Sequence, residues 1–80
     1  MVMTATQAVA VTPSDSVNIG NGGAPLFYIG VSGDVTLVTK DGGTVTYKAV
    51  PVGYLFQAAT RINATGTTAT NILAVYASNV

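Results

Sequence analysis

The segment DVTLVTKDGGTVTYKAV, residues 34–50, constrains this chain most. An apolar–polar period of two sets Val35 and Leu37 against Thr36 and Lys40. The same period sets Val45, Tyr47 and Ala49 against Thr44, Thr46 and Lys48. A helix cannot present such a pattern on one face, and Asp41-Gly42-Gly43 supplies turn chemistry between the two runs. The segment therefore predicts a β-hairpin with strands at 34–40 and 44–50.

Other stretches carry the same punctuation. TQAVAVT (6–12) reads as a first strand or an extended arm, and PSDSVNIGNGGAP (13–25) as a long polar loop. LFYIGV (26–31) is apolar on both faces, so it is either central in a sheet or has one face against a partner. SGD (32–34) and PVG (51–53) read as turns, and YLFQAAT (54–60) and NILAVYA (71–77) as the last two strands. Threonine and valine contribute 12 residues each and glutamate none, a bias toward strand and away from helix. The expectation is an all-β chain, a small antiparallel sandwich or barrel of about five to six strands. Residues 1–12 form the arm or first strand, and residues 13–80 a single β-domain.

A chain of 80 residues buries a modest core. With no cysteine and no histidine it has neither disulfides nor the usual zinc ligands to reinforce it. Only 8% of residues are charged and the net charge is zero, against about 25% charged in an average soluble domain. Together with 49% hydrophobic residues, this predicts a protein stabilised by assembly with copies of itself or with a partner. Lys40, Lys48 and Arg61 are too few and too scattered for a nucleic-acid footprint. No apolar run approaches the ~20 residues of a membrane helix, and MVMTATQAVAV lacks the basic start of a signal peptide. Synthesis in a cytoplasm is the expectation.

Catalytic chemistry has few carriers. Ser14, Ser16, Ser32 and Ser78 have no histidine to activate them, and Lys40 and Lys48 sit on the polar face of the hairpin. Asp15, Asp34 and Asp41 lie in turn contexts, where aspartate bonds its own backbone. GNGG (20–23) is followed by Pro25 where a dinucleotide loop needs its third glycine, and no helix follows, so it reads as a flexible loop. ATGTT (64–68) lacks the Gly-Lys-Ser/Thr of a P-loop. Asn63-Ala64-Thr65 is formally a glycosylation sequon, without a secretory signal to use it. No catalytic residue, metal or cofactor is expected. Six aromatic rings could build a sugar-stacking platform, although in a small β-domain most must fill the core.

Several stretches in this order carry a resemblance: VTPSD (11–15), YIGVSGDV (28–35), VTY (45–47), VPVG (50–53), ATGTTAT (64–70) and ILAVY (72–76). Across residues 9–77 the chain resembles a family of short phage, prophage and gene-transfer-agent proteins. It departs from that family's pattern at Ala24-Pro25, where an arginine is expected, and at Leu55-Phe56-Gln57-Ala58, which replaces a basic segment. Only Arg61 remains there. The resemblance implies a virion structural protein on the exterior of a phage head. Such a protein would be a decoration (cement) protein or the base of a head spike, with no catalytic residues. Its expected partners are the major capsid protein and further copies of itself, as a trimer or alternatively a pentamer. A carbohydrate-binding adhesin is the rival from another class. The residues expected to form the interface are Val9, Val11, Phe27, Tyr28, Ile29, Tyr54 and Phe56, and strand addition through residues 1–12 is one expected mode.

Overall fold

The computed structural model describes residues 3–20 and 22–79, with side chains described at 7–20 and 22–76. Residues 1 and 2 of the expected arm lie outside the described residues. Among the described residues seven strands form: β1 (Met3–Ala10), β2 (Leu26–Val31), β3 (Gly33–Thr39), β4 (Thr44–Val50), β5 (Gly53–Leu55), β6 (Ala59–Ile62) and β7 (Thr70–Asn79). They make two antiparallel sheets, one in the order β1-β7-β2-β5 and one in the order β4-β3-β6. Among the described residues there is no helix. The expected small all-β sandwich is what the chain forms.

The predicted 34–50 hairpin is present, closed by the Thr39 N–H donating to the Gly43 carbonyl at 2.8 Å. Its alternation does not carry through to burial everywhere: Thr36 is buried and Val45 is exposed, and at the far end the pattern itself shifts. Ala49 takes a positive φ of 52°, and the register slips between Gly33 and Val35. This bulge turns Val50, and not Ala49, into the core. The Asp34 carboxylate fixes it by accepting the Ala49 N–H at 2.9 Å. Residues 32–34 are therefore not a turn. Ser32 alone separates β2 from β3, and the chain crosses from one sheet to the other there.

A single strand was expected at 54–60, but that segment divides. Residues 53–55 join β2 as an edge of the four-stranded sheet, and residues 59–62 join β3 as an edge of the other. The intervening Gln57 stitches the layers together, accepting the Tyr47 hydroxyl at 2.7 Å from β4.

The core lies between the sheets. Phe27, Ile29, Val35, Leu37 and Ile62 are its largest buried side chains. Rows across the four-stranded sheet follow the register. Val9 faces Ala74, Ala74 faces Phe27, and Phe27 faces Leu55. Successive residues on a strand point to opposite faces, so Tyr28, Leu73 and Tyr54 form the neighbouring row on the outside.

Loop 13–25 is pinned more firmly than its composition predicts. Ser14 and Ile19 donate their N–H groups to the Ile62 and Thr60 carbonyls, both at the outer edge of β6. Gly23 is buried at φ 101°. A Cβ there would run into the Ala59 carbonyl oxygen, so the GNGG stretch contains a close backbone approach and not simply a loose loop.

Candidate functional site

The charges are segregated by sheet. No aspartate, glutamate, lysine or arginine lies on β1, β2, β5 or β7. Asp34, Lys48 and Arg61 lie on strands of the three-stranded sheet, Lys40 and Asp41 in its hairpin turn, and Asp15 in the loop along its β6 edge.

The outer face of the four-stranded sheet is apolar across its whole width. One row runs Ala10, Leu73, Tyr28, Tyr54, and the next runs Ala8, Val75, Leu26. Val75 is buried yet does not belong to the core cluster between the sheets. At the β5 end the aromatics cluster. Tyr28 and Tyr54 meet edge to face with ring centres 5.3 Å apart, and Phe56 stands 6.2 Å from Tyr54. Tyr54 is 57% and Phe56 81% exposed, which is far more than a ring of that size retains when it serves a core.

The residues expected at an interface therefore separate. Tyr28, Tyr54 and Phe56 are brought together at the surface. Phe27 and Ile29 are fully buried, and this corrects the expectation for them: the same alternation that exposes Tyr28 points its neighbours inward. Val9 and Val11 sit apart from the aromatics, at the opposite edge of the sheet. Leu26, Leu73, Val75, Ala8 and Ala10 were not singled out from the sequence. The alternation in NILAVYA holds the signal, but the inward-facing set becomes apparent only once β7 is paired.

A second concavity lies at that opposite edge. A groove of about 330 Å³ opens between the β1 end of the sandwich and loop residues 17–20. Val9, Val11, Val17, Ile19, Ala74 and Tyr76 line it. The Tyr76 hydroxyl donates to the Gly20 carbonyl at 3.2 Å across its end.

The hydroxyl-rich stretch 64–68 is occupied by the fold itself. Thr65 donates both its N–H, at 2.9 Å, and its hydroxyl, at 2.6 Å, to Asp15. The Thr67 hydroxyl accepts the Thr36 N–H at 3.0 Å, and the Thr68 hydroxyl accepts the Asp34 N–H at 2.8 Å. Gly66 allows this turn with φ 89°. Asp15 and Asp34 thus bond partners distant in sequence, not the local backbone expected of them. The Thr65 hydroxyl first, and then its N–H, hold the Asp15 carboxyl below its usual range. The Ala49 N–H, followed by the charge of Lys48 at 3.5 Å, does so for Asp34. Among the described residues, no three His, Cys, Asp or Glu side chains converge as metal ligands, and no helix is long and apolar enough to cross a membrane.

The aromatic cluster also bears on sugar binding. A stacking platform needs fixed hydrogen-bond partners beside the rings. The amide of Gln57, next to Phe56 in the chain, is already engaged: its oxygen accepts from Tyr47 and its nitrogen donates to the Ala58 carbonyl. An uncharged sheet face ending in exposed aromatics is a surface of the kind that marks an interaction site.

Neither protein-family models nor curated proteins give a match to this chain. Among solved structures, a chain described as "Capsid of native GTA particle computed with C5 symmetry" superposes with a TM-score of 0.80 at 30% identity, over 90% of this chain and 83% of that one. The chain belongs to the same family as that gene-transfer-agent capsid chain.

Proposed function

We propose that this chain is a non-enzymatic structural protein of a phage-type head, seated on the outside of the shell as a decoration, or cement, subunit. Its family tie to a chain of a gene-transfer-agent capsid carries the reading. The uncharged outer sheet face is the surface through which it would meet the major capsid protein and neighbouring copies. The site would be the virion exterior, after synthesis in a bacterial cytoplasm.

The work is mechanical. Each ~400 Å² of apolar surface taken from water contributes ~10 kcal/mol gross. Lost translational and rotational freedom offsets much of that, so one contact is marginal and many sites acting together hold the shell. With no charges on the contact face, screening has little to act on. Purified particles washed in molar salt should retain the protein at the level of a low-salt wash. Its release by salt alone would contradict this mode of attachment.

A second reading is the base of a spike at capsid vertices. The five-fold symmetry in the description of the related particle favours considering it, since a pentamer fits such a vertex. Copies per particle separate the two: hundreds for a cement, tens for a spike base. Binding on a glycan array would instead favour the adhesin.

A further inference from the structure

The four-stranded sheet has different edges. At one, Phe56 follows β5 as an apolar knob that is 81% exposed, with its ring tilted against that of Tyr54. At the other, beyond β1, lies the groove of about 330 Å³, whose valines, Ile19 and Ala74 are joined by Thr12 and Asn18. Its rim residues Val17 and Val9 are 68% and 43% exposed. No residue lining the groove is charged, and the nearby Arg61 guanidinium is engaged by the Asn18 side chain at 3.3 Å. We infer that Phe56 of one copy seats in the β1-side groove of the next, so that copies join head to tail through opposite edges of the same sheet.

The geometry selects this occupant. A knob and a hole on opposite edges cannot satisfy each other within one chain. A contact between unlike patches propagates, and it gives rings where the rotation closes. The other sheet edges are poorer templates. Loop 13–25 covers β6, β4 carries Lys48, and β5 is only 3 residues long. β1 has 8 residues with no proline and no charge, which leaves its outer edge open beside the groove. The inference rests on the shell-protein reading above and specifies how its copies join.

The test uses the full chain in solution and, separately, particles lacking it. Native mass spectrometry of the wild type at tens of micromolar should give an assembly of defined mass larger than a dimer. Phe56→Asp, which removes the knob, and Val17→Asp, which spoils the groove, should each be monomeric with unchanged circular dichroism. Mixed in equal amounts, they should form a one-to-one dimer, because the mixture restores one knob and one groove. A monomeric wild type, a wild-type dimer, or Phe56→Asp that keeps the wild-type mass would each overturn the inference. So would Val17→Asp that stays assembled yet no longer binds particles, since the groove would then hold shell protein. Assembly that survives while no form binds particles would instead defeat the shell-protein reading and leave the ring standing.

Discussion

The two sheets of this small sandwich differ in what their outer faces present. The three-stranded sheet carries lysine, arginine and aspartate, and the 63–68 turn is bonded to it by threonine hydroxyls. The four-stranded sheet presents alanine, leucine, valine and tyrosine from edge to edge. Both share one core, so stability of the fold does not require the difference. An ordinary solvated sheet alternates apolar and polar residues. The four-stranded sheet is apolar on both faces along its central rows, as is a sheet covered on both sides.

The sharpest way to break that comparison is within β2, where inner and outer residues are adjacent. Phe27→Ala should cost ~3–5 kcal/mol, a large share of the 5–15 kcal/mol that typically holds a domain. Chemical denaturation should find it largely unfolded. Tyr28→Ala, one residue on, should fold and lose mainly particle binding.

The next largest effect compares the sheets themselves. Tyr54→Lys places a charge on the apolar face and Thr44→Lys places one on the exposed hairpin strand. Both variants should fold. Occupancy on particles should fall at least tenfold for the first and stay near wild type for the second. Equal loss in both would remove the distinction between the faces.

The smallest effect concerns the polar ties on the charged side. Asp15 and Asp34 have carboxyl groups held below their usual range. A depressed folded-state value stabilises the fold above the unfolded value, near pH 3.9, and that contribution disappears as pH falls through the folded value. Thermal midpoints should be flat above about pH 5 and decline below about pH 4. Asp34→Asn should flatten part of that decline while lowering the midpoint at neutral pH by much less than Phe27→Ala does.

Much of this protein was legible in residue order. The hairpin at 34–50 followed from its period of two and its glycine turn. The all-β class followed from valine and threonine, and the family resemblance from turns and strands in sequence. Local chemistry fixes these features, because steric preference, turn geometry and alternation act over a few residues.

Three-dimensional pairing decided the rest. It split 54–60 between two sheets, placed Phe27 and Ile29 inside and Tyr28 outside, and gave Asp15 its partner at Thr65, 50 residues away. Alternation states that two faces exist. Which of them turns inward depends on which strands lie alongside, and that is set by contacts between segments far apart in the chain.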